Sequence, residues 1–317
     1  MQSMCRVHVI NPGFQTTIQD LGRFGYAHLG ISSSGAADAL SLRIGNLLVG
    51  NPEDAPALEM TLVGGEFEFE ESSVIALTGS DFEPALNGQS IPLWASVKVR
   101  SGERLKLDAT KSGARCYLCV KGGFEIPLML GSCSTHILTT IGGFDGRALK
   151  RGDILQTKSL ADPGFKPKTI DDRFASAFFR RQEIRVTEGL QSDQFEKTEV
   201  ERFYSSNYSV SEDSNRMGLR LKGIKLSHSR SPEIITEGAP LGAIQIPQDG
   251  EPIVLFVEHQ TTGGYPKIAN VIAADMHRVG QLRPRDSVRF RKVSIPEALS
   301  YLSEQERFIQ SVRGLPQ

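Results

Sequence analysis

The chain has 317 residues, room for two domains of ordinary size or one large one. With 39% hydrophobic and 23% charged residues it belongs with folded globular proteins, which excludes a disordered chain. Acidic and basic residues nearly cancel, 37 against 36, so no global field steers it to nucleic acid or to an anionic membrane surface.

The longest unbroken aliphatic or aromatic run, Ile253 to Val257, is far too short to span a bilayer. The start, MQSMCRVHVINPG, carries no apolar core of signal-peptide length before its Asn-Pro-Gly turn. The expectation is a cytoplasmic protein. Short apolar runs bounded by Gly, Pro, Asn, Asp or Ser recur throughout, which predicts a mainly β fold with a few helices.

In chain order, the first polar cluster is TTIQDLGRFGYAHLGISSSGAAD, residues 16–38. It gathers Gln19, Asp20, Arg23, Tyr26, His28, Ser34 and Asp38 among glycines that let backbone approach a ligand. A helix follows within 32–52, where Leu40, Ile44, Leu47 and Leu48 recur at helical spacing. Ser34 is the expected N-cap, with free N–H groups for an anion, and Gly50 before Pro52 is the expected stop. Asp38 lies off the apolar stripe, where it complements the helix dipole and need not touch the core. The structural alternative for this cluster is an Asp20–Arg23 pair.

Cys116 and Cys119 sit three apart in a predicted strand, so they face opposite ways and read as small buried hydrophobes rather than a shared ligand set. The second polar cluster, GSCSTHILTTIGGFDGR (131–147), reads as a Ser/Thr-rich loop around His136 or as part of a site. One turn pattern then recurs: Leu149 to Leu155, Leu282 to Val288 and, more loosely, Val99 to Leu105 each run strand end, basic turn, acidic residue, new strand. The spacing hints at two similar β-rich halves, 1–165 and 166–317, with a polar, proline-containing boundary within 157–182.

A second helix is expected from Ser192, and a third after Ser294, which stands in capping-box spacing to Glu297. Between them, SNRMGLRL (214–221) offers Asn215 and an Arg216 fork suited to a carboxylate or phosphate. EGAPLGAIQIPQDG (237–250) and EHQTTGGYPKIANVIAAD (258–275) supply Gln245, Gln260, Thr261, Thr262 and Tyr265 as neutral donors and acceptors. Such groups suit amide or carboxylate recognition and can stabilise an oxyanion without a protein nucleophile. By itself the Gly-Gly stretch reads as a hairpin turn, and Asp275 as structural. No phosphate loop, metal helix or nucleophile elbow occurs, and the six histidines lack ligand spacing, so no metal site is expected.

The segments PGFQTTIQDLGRFGY, GISSSGAAD, VGNPEDAPALEMTLVGG, ALTGSDF, CYLCVKGGF, GSCSTH, SNRMGLRL, GAIQIPQDG and QTTGGYPKIANVIAADM, in this order, resemble the biotin-dependent carboxyltransferase, or allophanate-hydrolase-subunit-2-like, family. The resemblance runs from Val7 to Arg291. It implies two tandem cyclophilin-like β-barrel subdomains, the second carrying the C-terminal helix. It also implies the C component of an ATP-dependent 5-oxoprolinase, which opens 5-oxo-L-proline to L-glutamate. The implied partners are a KipI-like B component and a LamB/YcsF-like A component. ATP would act at the level of the complex, its binding component unassigned, and no biotin would be attached here, since no Ala-Met-Lys-Met segment exists.

On that expectation Asp20, Arg23, Ser34 and Asp38 line one wall of a cleft. Asn215, Arg216, Gln245, Gln260, Thr261, Thr262 and Tyr265 line the other. Arg216 or Arg23 would grip a carboxylate, Gln260 and Thr262 would polarise the amide carbonyl, and Asp20 or Asp38 would handle a proton. Two other activities fit the same resemblance. One is a regulatory KipA-like protein that binds a KipI-type kinase inhibitor; the other is a biotin-dependent carboxyltransferase acting on urea or another amide. The chain departs from the family pattern at Ser32-Ser33-Ser34-Gly35, where a proline is usual, and at Arg285, where a glycine is usual. The second change implies a turn without an easy positive φ.

Overall fold

The computed structural model describes residues 5–157, 164–171 and 183–315. Most of the expected boundary stretch, 157–182, lies outside the described residues. The chain forms two compact units, the first comprising Met1–Arg23, Ser34–Phe178 and Arg307–Gln317, the second Phe24–Ser33 and Phe179–Glu306. The mainly β expectation holds in both. No helix among the described residues is long and apolar enough to cross a membrane.

The first unit has a six-stranded and a five-stranded sheet. In the six-stranded sheet, β11 (Ile154–Thr157), β1 (Cys5–Asn11), β4 (Glu66–Phe69) and β9 (Arg104–Lys106) are followed by the short β6 (Ala85–Leu86) and β7 (Gln89–Ser90). The other runs β2 (Gln15–Gln19), β3 (Ala57–Thr61), β10 (Arg115–Val120), β5 (Ser73–Gly79) and β8 (Ser96–Val99). Alternation dictates which residues meet: Cys5, Val7 and Val9 of β1 point inward with Phe67 and Phe69 of β4, opposite Leu58, Met60, Ile75, Leu77 and Leu118 of the second sheet. Burying these side chains drives the unit's folding, at about 25 cal/mol per Å² of apolar surface removed from water.

Strand β10 is buried throughout, as its RCYLCV sequence requires. Cys116 joins the core between the sheets, while Cys119 faces α1 (Ala39–Val49), its Sγ 3.8 Å from the Leu42 carbonyl. The two thiols thus take opposite faces and are free, and burial pushes both well above the usual thiol range. Helix α1 approaches β10 closely because Gly45 lacks a side chain: a Cβ there would come within 2.7 Å of Cys119 Sγ.

The start of α1 corrects the sequence reading. Asp38, not Ser34, is the N-cap, and its carboxylate accepts from Ser41 N–H (2.9 Å) and Ser41 Oγ (2.6 Å). Asp38 is wholly buried rather than peripheral, and its own N–H donates to the Tyr117 hydroxyl at 2.8 Å. That hydroxyl donates in turn to Glu59 at 2.6 Å. The helix start is therefore tied to β10 and β3 and offers its first turn to a protein carboxylate, not to an external anion. The C-terminus ends as expected at Gly50, with φ of 79°.

The recurring turn is one structure used three times. The backbone N–H of Arg100, Lys150 or Arg283 donates to the carboxylate three residues on, at 2.8, 2.7 and 2.8 Å. The N–H of that acidic residue returns a bond to the first residue's carbonyl, at 3.2, 3.2 and 3.1 Å. The residue between them takes positive φ: Gly102 at 79°, Gly152 at 87° and Arg285 at 72°. The third case overturns the expectation that Arg285 forces a different turn. The carboxylate and backbone bonds hold the left-handed geometry even where an L side chain strains it.

The second unit is a closed barrel ordered β12 (Glu183–Glu188), β19 (Lys267–Val271), β16 (Ala243–Gln245), β17 (Ile253–Leu255), β14 (Gly218–Lys222), β13 (Tyr208–Val210) and β20 (Ser287–Lys292). It closes where β12 runs parallel to β20, with Ile184 opposite Phe290, and closure leaves no open edge. The expected second helix is broken: a short 3-10 turn at Ser192–Gln194, then extended Phe195, then α2 (Lys197–Ser205). Phe195 is buried against the His228 ring, 5.1 Å between centroids, which holds the chain extended there. Phe203 of α2 stacks on Phe290 at 4.9 Å. After β19 come α3 (Met276–Gly280) and α4 (Ile295–Arg313). The capping box of α4 forms as its spacing predicts, Ser294 N–H to Glu297 at 2.7 Å and Glu297 N–H to Ser294 Oγ at 3.4 Å.

Asp275, between β19 and α3, is fully buried and holds two arginines. Arg185 of β12 donates to it from its backbone N–H (2.7 Å) and Nε (2.9 Å), and Arg278 Nη1 lies 3.2 Å away. Tyr301 of α4 covers the Arg185 guanidinium at 3.7 Å from the ring centre.

Two substitutions test these assignments by denaturant unfolding. Arg285→Gly relieves the left-handed strain and forfeits only an ion pair to Glu212 whose side chains are 84% and 65% exposed, so stability should rise by about 1 kcal/mol. A lower midpoint contradicts that account of the turn. Asp275→Asn leaves two buried guanidinium groups facing one neutral amide and should cost about 3–5 kcal/mol. A loss within experimental error means the ion-pair cluster does not hold the barrel.

Candidate functional site

The residues picked from sequence fall into two groups, one in each unit. In the first unit, the Asp20 carboxylate accepts four hydrogen bonds. Its Oδ1 accepts from Gly22 N–H (2.8 Å), Ser132 Oγ (2.6 Å) and Ser134 Oγ (2.5 Å), and its Oδ2 from Cys133 N–H (2.5 Å). Arg23 donates through Nη2 to the Ser134 carbonyl. Ser34, buried with φ of 54°, donates to the Thr135 carbonyl at 2.9 Å. The two N-terminal clusters therefore meet, with 132–135 wrapped around Asp20. Cys133, beside that carboxylate, is pushed up to about 11, chiefly by burial. The partners Ser132 and Ser134 escaped the sequence reading; the only signal was a run of small polar residues in GSCSTH.

In the second unit, β18 (Thr262–Gly263) corrects the hairpin reading. It pairs not with a sequence neighbour but with β15 (Glu237–Gly238), Gly263 opposite Glu237 and Gly238 opposite Thr262. Gly263 is needed for closeness rather than for a turn: a Cβ there would come within 2.6 Å of Gln245 Nε2. Gln245 is buried in the barrel wall, and its Oε1 faces Gln260 Nε2 at 3.4 Å. Thr262 and Tyr265 are exposed and Thr261 is half-buried, its carbonyl accepting from Ala239 N–H at 3.0 Å. Beside them His259 is buried, and burial holds its imidazole below the usual range. Its Nδ1 lies 2.6 Å from the Gln260 carbonyl, which can only accept, so Nδ1 carries the proton and Nε2 is a bare acceptor.

Asn215 and Arg216 serve different ends. Asn215 Oδ1 accepts from Met217 N–H at 2.8 Å and shapes the approach to β14. Arg216 forms a buried ion pair with Glu258, through Nε to Oε1. Glu258 N–H also donates to the Arg216 carbonyl at 2.8 Å, so the two segments are locked together.

The sequence reading missed the charged centre of this group. Lys267 opens β19 directly opposite Gln245 of β16, and both are almost fully buried. Its Nζ lies 2.7 Å from Glu237 Oε1. Gln191 bridges them, Nε2 donating to Glu237 Oε1 at 2.8 Å and Oε1 accepting from Lys267 N–H at 3.2 Å. The Lys267 ammonium holds the Glu237 carboxyl below the usual carboxylate range. A lysine inside the apolar run YPKIANVI was the available signal; nothing local marked Gln191.

Donors therefore dominate the second-unit group: three glutamine amides, two threonine hydroxyls, a tyrosine and one ammonium, with a neutral histidine as acceptor. Such a group binds carbonyl and carboxylate oxygens and can stabilise negative charge developing on them.

Comparison with known proteins finds relatives that match nearly the whole chain. The chain is 38% identical to the C subunit of the Escherichia coli (strain K12) 5-oxoprolinase over 305 residues, 96% of each chain. It is 35% identical to the C subunit of the Haemophilus influenzae 5-oxoprolinase, covering 98% of each. Among solved structures, the K. lactis urea amidolyase superposes with a TM-score of 0.91 at 32% identity over 97% of this chain, which spans 20% of that much longer one. The carboxyltransferase domain, subdomains A and B, matches residues 29–292, and the chain belongs to that family.

Proposed function

We propose that this chain is the C component of a heteromeric, ATP-dependent 5-oxoprolinase that opens 5-oxo-L-proline to L-glutamate. Its partners in this reading are a KipI-like B component and a LamB/YcsF-like A component, with ATP used at the level of the complex and no biotin carried here. The observation that carries the proposal is the end-to-end match to two bacterial proteins named as the C subunit of 5-oxoprolinase.

The second-unit donors suit the substrate. A cyclic amide presents a carbonyl oxygen that gains charge when attacked, and Gln260 and Thr262 are proposed to stabilise it. Gln245, Thr261, Tyr265, Asn215 and Arg216 are proposed to shape and bind around it. In the first unit, Asp20, Arg23, Ser34 and Asp38 are proposed as positioning groups: the hydrogen bonds of both aspartates to neighbouring hydroxyl and N–H groups suit holding a loop and a helix start better than moving a proton.

A second reading, a carboxyltransferase acting on urea or another amide, is favoured by the superposition on urea amidolyase. It needs carboxybiotin from a carrier on another chain.

Reconstitution with the A and B components should give ATP-dependent glutamate formation from 5-oxoproline, lost when this chain is omitted. Activity undiminished by the omission refutes the proposal, and inhibition by avidin favours the second reading. Within an active complex, Gly263→Ala should lower kcat/KM about tenfold or more, roughly 1.4 kcal/mol, because the added methyl displaces the Gln245 amide. The melting temperature should barely move, since only a side-chain end must shift. Wild-type kinetics for this variant and for Gln260→Ala would remove the glutamine pair from the site.

A further inference from the structure

We infer that Glu237 is a resident carboxylate occupying a carboxylate-binding subsite, and that a substrate carboxylate displaces it from Lys267 and Gln191. The inference deepens the 5-oxoprolinase reading and rests on it for the identity of the incoming anion.

The subsite is built for an anion. Glu237 Oε1 lies 2.7 Å from Lys267 Nζ in an ion pair and accepts a hydrogen bond from Gln191 Nε2 at 2.8 Å. Gln191 cannot turn its amide over without losing the Lys267 N–H that its Oε1 accepts. Gln245, opposite Lys267 on the neighbouring strand, has a buried Nε2 that meets no acceptor among the described residues. Two buried donors on facing residues of neighbouring strands, Gln245 Nε2 and Lys267 Nζ, thus lack a hydrogen-bond acceptor among the described residues, the ammonium keeping only its ion-pair contact with Glu237. An unpaired buried donor costs free energy that an incoming oxygen would recover.

The asymmetry of the pair shows which partner leaves. The Lys267 side chain is 3% exposed and anchored in the barrel wall, while Glu237 is 39% exposed on a strand paired through only two residues. Glu237 can exchange its ion pair for water at low cost; Lys267 cannot. The buried pair of Arg216 with Glu258, in the same unit, lacks that asymmetry, with side chains 7% and 2% exposed. A lysine whose carboxylate partner can leave is the better receptor for a free carboxylate. Exchange of one carboxylate for another preserves the buried charge balance, so the subsite is never left holding an uncompensated cation.

Calorimetry on the full chain with three probes tests this: 5-oxo-L-proline, 2-pyrrolidinone (the same ring without the carboxylate) and acetate. Removing the competitor by Glu237→Ala should tighten 5-oxo-L-proline and acetate about fivefold and leave 2-pyrrolidinone unchanged. Lys267→Met should weaken the two carboxylates about tenfold or more, again sparing 2-pyrrolidinone. If Glu237→Ala weakens both lactams alike, or leaves carboxylate affinity unchanged, Glu237 is a structural partner of Lys267 and the inference fails. If acetate tightens while 5-oxo-L-proline does not bind any form, the subsite stands and the 5-oxoprolinase reading falls. The Glu237 variant decides the matter even where Lys267→Met does not fold.

Discussion

The second unit depends on the carboxylate of Asp275. Arg185 lies on β12, the strand through which the barrel closes, and it donates to Asp275 from backbone and side chain together. Arg278 adds a second cation and Tyr301 a covering ring. Two arginines in a dry site are tolerable only because one carboxylate neutralises and orients them. The cluster fixes where β19 ends relative to β12. Strand β19 in turn carries Lys267 at its other end, opposite Gln245, so the register of the candidate site is set from the far side of the strand.

The candidate site reads as a problem of closeness and charge. Gly263 admits the Gln245 amide against the β18 backbone, and its strand partner Glu237 reaches Lys267. The buried histidine is neutral, and the charge placed to move is the half-exposed Glu237. Arg216, the cation most conspicuous in the sequence, has instead a buried partner that locks two segments together.

Local chemistry was well predicted where it needed only a few consecutive residues. The capping box at Ser294 and Glu297 and the Gly50 stop formed as their patterns require. The thrice-used turn was visible as strand end, basic turn, acidic residue, new strand, and the structure shows why: the acid accepts from the N–H three residues earlier. Arg285 marks the limit of such reasoning. Residue preference argued against positive φ, yet the surrounding hydrogen bonds outweigh a strain of about 1 kcal/mol. Ser34 failed as a cap for a related reason, since Asp38 sits at the true boundary and the buried Tyr117 hydroxyl fixes its backbone.

By itself the sequence determined the mainly β character, the free buried cysteines on opposite faces of one strand, the turn chemistry and the family. Periodicity, caps and turns act within a few residues and survive without knowledge of the rest. Only the tertiary structure decided which polar residues meet. Asp20 and Ser132 stand 112 positions apart and Arg185 and Asp275 stand 90 apart. The pairing of Lys267 with Glu237 likewise follows from β15 joining β18 rather than from any local pattern. A hydrogen bond or ion pair requires atoms within about 3 Å, and across a sheet that proximity is set by strand order and register, which no short stretch of sequence encodes.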